Sequence, residues 1–418
     1  MALVTTLFGT LACVRERRKG STIPVIDIDS HFEPETDWLD EFPQLGDDLP
    51  SLYPTDDPRF AMATPEMFAW FVSDDLLRGV PCENRMPMDR LVTDGMRALY
   101  DPNRGPEVGY PGSDQHLELT ETRSRLAWMD DQGIDLQNVI SGTAYTLARA
   151  ITDPILGMRA LEAVNSWMSE RLADASDRLM LAATVRYDDL DWTIRELTRM
   201  RERGSRTFLL PSEPTGNVPP NHPDYDKLWS AVTGLGMVPI VHVGLSPAIF
   251  HPAWANTDDP AIIRVVSVLQ PYQQALVFLN AMVLGGVFER HPTLTILFAE
   301  HGIDWITPAT FRMDAIAKPG LSPLLIGKYK WPLSPAEYVR RNIRVTPLPV
   351  AHELPNATLE FLPEVPVFSS DYPHFEGSGD PMGHYDKELA SITDSARSSF
   401  LGDNLAECFA RMGDPIEV

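Results

Sequence analysis

The chain has 418 residues, 44% hydrophobic, 9% aromatic and 22% charged, so it can bury a large core and is not a disordered polymer. Its 35 Lys and Arg stand against 59 Asp and Glu, and the formal net charge of −24 argues against nucleic acid or an anionic membrane as partner. Cys13, Cys82 and Cys408 form neither a CxxC pair nor a disulfide framework, so a reducing cytoplasm is the expected compartment.

Met1 to Cys13 is apolar, but the basic cluster Arg15, Arg17, Arg18 and Lys19 follows it. A secretory signal has the opposite order, and the run is too short to span a bilayer. Residues 1–21 therefore read as an N-terminal extension, and 22–418 as one domain. Ile23 to Ile28 reads as a buried strand that runs into Asp29-Ser30-His31. Residues two apart in an extended chain share a face, so Asp29 and His31 project together, which suits a divalent metal but, for the pair alone, equally an Asp accepting a hydrogen bond from a loop His. The stretch 35–115 is rich in Pro, Asp and Gly yet holds Trp38, Phe60, Met67, Phe68, Trp70 and Phe71. It reads as an insertion with short helices, either a cap over a site, a peripheral lobe or a subunit contact.

Helical and strand patterns then alternate. Helices are expected over 116–132 (stopped by Gly133), 147–173, 189–203, 225–235 (stopped by Gly236), 272–290, 305–317 (broken by Pro308) and 388–412. Strands are expected over 135–140, 179–185, 207–210, 238–243, 294–299, 343–346 and 365–369. With the first strand this makes eight apolar runs with helices in most intervals, the pattern of an α/β fold and, more narrowly, a (β/α)8 TIM-type barrel with an insertion after the first strand. An open doubly wound sheet is the alternative, but no Gly-rich phosphate loop is present.

Strand C-terminal ends carry the site in such a barrel. Here they offer Asp29 and His31 on the first, His242 on the fifth, Glu300 and His301 on the sixth, and Asp371 on the eighth, all metal-competent. The motifs Ile26-Asp-Ile-Asp-Ser-His31, His242-Val-Gly244, Phe298-Ala-Glu-His-Gly302, Ser370-Asp-Tyr-Pro373 and Gly402-Asp-Asn404 resemble the amidohydrolase superfamily, in the branch that includes aminocarboxymuconate-semialdehyde decarboxylase and γ-resorcylate decarboxylase. The resemblance covers about Val25 to Gly413 but not the 35–115 insertion. It implies a divalent ion, or two, of iron, zinc or manganese, a small-molecule substrate and, as is usual in the family, a homodimer. It makes Asp29, His31, His242 and Asp371 metal ligands, Asp371 also being the proton acceptor. The family's sixth-strand His is replaced by Glu300 with His301 one residue on, so either Glu300 or His301 takes that place. A carboxylated Lys bridge is not available on Thr207-Phe-Leu-Leu210.

Hydrolysis of an acyl bond (amide, ester or thioester) is the first expectation: the metal activates water, Asp371 moves its proton, and His301 or His374 stabilises the oxyanion or acts as the acid. Non-oxidative decarboxylation of a hydroxy-aromatic or enol acid is the second, and a non-catalytic metal-binding protein the third. His374 reads equally well as a turn-capping loop residue. Arg186, at the end of the third strand, is a candidate for a substrate carboxylate or an ordinary capping Arg. Tyr187, Phe250, Trp254 and Tyr372 are candidates for an apolar substrate lining or for core packing.

Overall fold

The structure is a computed structural model that describes residues 24–34, 38–49, 121–215, 218–243, 272–325, 327–349, 353, 355–374 and 377–416. Residues 1–21, Phe250, Trp254 and most of the stretch 35–115, expected to be an extension and an insertion, lie outside these residues; within 35–115 a 3-10 turn, Trp38–Glu41, and a helix, Pro43–Asp48, are described.

Seven parallel strands form one curled sheet in sequential order: β1 Ile26–Asp27, β2 Leu136–Val139, β3 Leu179–Ala183, β4 Thr207–Leu210, β5 Val238–His242, β6 Ile296–Ala299 and β7 Ile343–Val345. Helices follow the strands, and the architecture is consistent with a TIM-type barrel. The expected eighth strand, Val365 to Ser369, forms no ladder but ties the two edges together. Val345 N–H donates to Val365 (2.9 Å) and Val367 N–H returns to Val345 (3.1 Å). On the other side Ile28 donates to Phe368 (3.3 Å), Asp371 to Asp29 (2.9 Å) and His31 to Tyr372 (2.7 Å).

β1 explains its own pattern. Ile26 and Ile28 share one face and Asp27 and Asp29 the other, which is polar. Asp27 accepts from Gln137 Nε2 (2.7 Å) and from the backbone N–H (2.9 Å) and hydroxyl (2.5 Å) of Ser370. Asn138 Nδ2 donates to the Ile28 carbonyl (3.0 Å) and Thr207 Oγ1 to Asn138 Oδ1. The sheet therefore holds a paired polar layer beneath the strand ends, as buried polar groups require.

Helix boundaries follow local chemistry. Gly133 and Gly236 end their helices in the left-handed conformation (φ 71° and 70°), as expected. The single expected helix over 147–173 is two, Gly142–Ala150 and Pro154–Arg171. Pro154 cannot continue a helix but suits its first position, where Asp153 caps the Leu156 N–H (2.8 Å). The helix Ile306–Ala317 is not broken by Pro308, which lies in its first turn where no intrahelical donor is lost. An unanticipated helix, Pro335–Asn342, starts with a full Ser334/Glu337 capping box. The expected helix over 388–412 is instead Asp394–Ser398, a π turn at Ser399–Asp403, and Asn404–Arg411.

The helix expected over 272–290 divides into Tyr272–Leu284 and Val287–Arg290. Gly286 has φ 73°, and a Cβ there would sit 2.2 Å from the Trp331 ring. Gly286→Ala is therefore expected to destabilise the fold by about 2 to 4 kcal/mol, read as a lower urea midpoint, because strain and overlap add. A midpoint equal to wild type would refute that packing.

Candidate metal centre

The strand ends bring six side chains into one closed ring in which imidazole and carboxylate alternate. His31 Nε2 lies 3.8 Å from Asp29 Oδ1 and 3.2 Å from Asp371 Oδ1. His242 Nε2 lies 3.4 Å from Asp29 Oδ1 and 3.2 Å from Glu300 Oε2. His374 Nδ1 closes the ring, 3.8 Å from Glu300 Oε1 and 3.4 Å from Asp371 Oδ1. The His31 and His374 rings stack at 3.4 Å. All are buried except His374, which is 13% exposed.

Two of the carboxylates are aimed by the backbone. Glu300 (φ 62°) and Asp371 (φ 52°) are the non-glycine residues with positive φ among the described residues. Each left-handed corner costs about 1 to 3 kcal/mol and persists only where the surroundings enforce it. The Glu300 N–H is held by Thr346 Oγ1 (3.1 Å) and the Asp371 N–H by the Asp29 carbonyl. The corner turns Glu300 into the ring and leaves His301 outside it. His301 is buried with its Nδ1 unbonded, edge-on to Phe298 (6.2 Å), and belongs to neither group of clustered donor atoms.

The residues fit a divalent ion. Asp29 Oδ1 and Oδ2, His242 Nε2 and Asp371 Oδ2 are buried and make no hydrogen bond, though Asp29 Oδ1 and His242 Nε2 take part in the ion-pair contacts above. Buried polar atoms without a hydrogen bond are costly, so four in one ring favour a further partner such as a cation. Donor atoms of Asp29, His31 and His242, and of His31, Glu300, Asp371 and His374, lie within 4.8 Å of one another. Two donors bound to one ion at about 2.1 Å are separated by about 3 to 4 Å, the spacing seen around the ring. His242 Nδ1 faces the Val243 carbonyl (2.9 Å), which fixes the tautomer that leaves Nε2 for the ion. Tyr145 donates to the same carbonyl (2.7 Å).

Electrostatics agree. Burial pushes Glu300 up to about 7, with Asp371 beside it adding, and pushes Asp371 up to about 6 against the pull of His374. Burial also lowers His31 and His301, the latter to about 3. For His242 burial is outweighed by Asp29 and Glu300, which raise it to about 9; for His374 it is outweighed by Asp371 and Glu300. For Asp29 burial is outweighed by His242 and His31, which hold it below its usual range. Protons on His242 and His374 bring the charge that one divalent ion brings, so metal binding would displace them.

The other expected residues sit elsewhere. Arg186 donates to Asp188 (2.6 Å) and to the carbonyls of Ala148 and Ile151. Tyr187 donates to the Leu209 carbonyl. Tyr372 stacks on Trp128 (3.8 Å) behind the ring. Sequence reasoning passed over Glu33, which is fully buried and accepts from the Gly142 (2.5 Å) and Thr143 (2.9 Å) N–H groups at a helix N-terminus. Its signal was present: Asp27, Asp29, His31 and Glu33 continue one period-two series. Arg125 and Gln137 carried no local signal.

A sequence model of the amidohydrolase family matches residues 114–410. No curated protein matches the chain. Among solved structures, an amidohydrolase from Mycobacterium avium subsp. paratuberculosis is 19% identical, with a TM-score of 0.63 over 93% of this chain and 100% of that one. A 5-carboxyvanillate decarboxylase from Sphingomonas paucimobilis is 20% identical (TM-score 0.61, 93% and 99% covered). A dihydroxybenzoic acid decarboxylase from Polaromonas with bound manganese is 18% identical (TM-score 0.60, 93% and 97% covered). At these identities the likeness is one of fold.

Proposed function

Because the chain belongs to the amidohydrolase family, enzymes of hydrolase or carboxy-lyase type, we propose that it is a metal-dependent non-oxidative decarboxylase of a hydroxy-aromatic or enol acid. The observation that carries this reading is the ring of alternating donors with unbonded buried atoms, on a fold shared with manganese-containing decarboxylases. Asp29, His31, His242 and Asp371 would hold one ion, with Glu300 rather than His301 as the sixth-strand donor. Manganese is the first choice, with iron and zinc as alternatives. The ion supplies Lewis-acid polarisation of the substrate oxygens. Asp371, whose carboxylate faces His31 (3.2 Å) and His374 (3.4 Å), would give and take the proton. Its proton goes to the carbon that bears the carboxylate; the carbon–carbon electron pair then stays with the ring or enol and carbon dioxide leaves. The same reading takes 22–418 as one barrel domain with 35–115 as its cap, in a cytoplasmic homodimer.

Acyl-bond hydrolysis, the first expectation from sequence, is the second reading, and Glu300 favours it. A third carboxylate beside the ion opposes an anionic substrate but not a neutral ester, thioester or amide. Asp371 would then take the proton of the attacking water and return it to the leaving group, with His374 facing the oxyanion.

One experiment separates the two. Manganese-loaded protein is offered hydroxybenzoates, with carbon dioxide release followed, and aryl esters and acyl thioesters, with phenol or thiol release followed. Carbon dioxide from a hydroxybenzoate, lost in His31→Ala, is the expected result. Thiol or phenol release alone would overturn the decarboxylase reading in favour of hydrolysis.

A further inference from the structure

The helix Thr122–Gln132 lies behind the donor ring and sends a fully buried guanidinium toward it. Arg125 donates to the carbonyl of His31, to Ser30 Oγ (3.4 Å) and to Gln137 Oε1 (2.9 Å). The Gln137 amide passes the connection on to Asp27 Oδ2 (2.7 Å), which also takes the Ser370 hydroxyl, while Asp27 Oδ1 takes the Ser370 N–H. One residue beyond Ser370 is Asp371. The guanidinium also lies 5.1 Å from the Tyr372 ring centre, and Trp128 of the same helix stacks on that ring. A single side chain thus contacts the backbone of His31 directly and reaches the Asp371 corner by two routes, one polar and one aromatic.

We propose that Arg125 is a positioning residue of the metal centre, setting the His31 and Asp371 donors at a common distance through the His31 carbonyl, the Gln137–Asp27–Ser370 chain and the face of Tyr372. Its planar fork of donors suits this role, because it serves an amide oxygen, a hydroxyl and a carbonyl at once, which an ammonium cannot do in fixed directions. The ends it joins are 340 residues apart in sequence and meet through an isolated bridge and a few backbone hydrogen bonds rather than a ladder, so the Arg125 contacts add to a short backbone tie in setting their relative placement. Partners that orient ligands typically contribute 10- to 100-fold to metal affinity.

This inference rests on the centre binding a metal, so wild-type manganese affinity is measured first, by titration calorimetry; no binding there would refute the metal reading itself. Arg125→Lys, Gln137→Met and, if it folds, Arg125→Met are then compared with Arg344→Met. Arg344 is equally buried but bonds the Asn404 carbonyl and Glu407 under the C-terminal helix. The expected result is a 10- to 100-fold weaker manganese Kd in the Arg125 and Gln137 variants, while Arg344→Met lowers Tm and leaves Kd within about twofold. Wild-type affinity in folded Arg125→Lys and Gln137→Met would overturn the proposal. So would an equal loss of affinity in Arg344→Met, which would mean that any buried Arg does the same.

Discussion

Asp371→Asn is expected to lower turnover by about three to four orders of magnitude without unfolding the protein. The amide matches the carboxylate in shape, and Asn tolerates the left-handed corner at φ 52°. Two things are lost together. The side chain no longer gives or takes a proton, and the atom that faced His31 at 3.2 Å and His374 at 3.4 Å no longer carries charge. The measurement is kcat on whichever substrate class is turned over, with metal content on the same sample. A variant within tenfold of wild type at full metal occupancy would remove Asp371 from the proton transfer in both readings.

Stripping the metal is expected to have the larger effect on stability. At a free-ion concentration of 100 to 1,000 times Kd, binding adds about 3 to 4 kcal/mol, which a chelator withdraws. The metal-free protein should also acquire a pH dependence. Asp27 and Glu300 are raised to about 7 by burial, and His242 to about 9 because Asp29 and Glu300 outweigh its burial. Groups with raised folded values bind protons more tightly in the native state, so their contribution is present at low pH and lost as pH rises through those values. His31 and His301, lowered chiefly by burial, work in the opposite sense, but only below the ordinary histidine value of 6.5. Between about pH 6.5 and 9 the loss stands alone, so chelated protein should melt at progressively lower temperature across that window. Manganese-loaded protein should not, because the ion replaces the displaced protons. A pH-independent Tm in chelator would contradict this charge balance.

The strands were legible in the sequence because apolar runs such as Thr207–Leu210 are short, bounded and buried on both faces. The donor types were legible because they fall where those runs stop. The choice between Glu300 and His301 was not, since it depends on one backbone dihedral: with Glu300 left-handed, the carboxylate enters the ring and the next imidazole points away. Pro308 was misjudged because its effect depends on its distance from a helix start that is blurred in sequence. Arg125 was invisible because its partners, His31 and Gln137, are brought to it by different strands.

The tie between the chain's two ends bears on how the protein is made. A chain synthesised from its N-terminus presents Asp29 and His31 first, then His242 and Glu300, and Asp371 only near completion. Contacts of such long sequence separation form slowly, because chain closure precedes any gain from them. No nascent fragment short of residue 371 can assemble the donor ring. A metal captured before Asp371 is made would find at most Asp29, His31, His242 and Glu300, so the full donor set becomes available only late in synthesis.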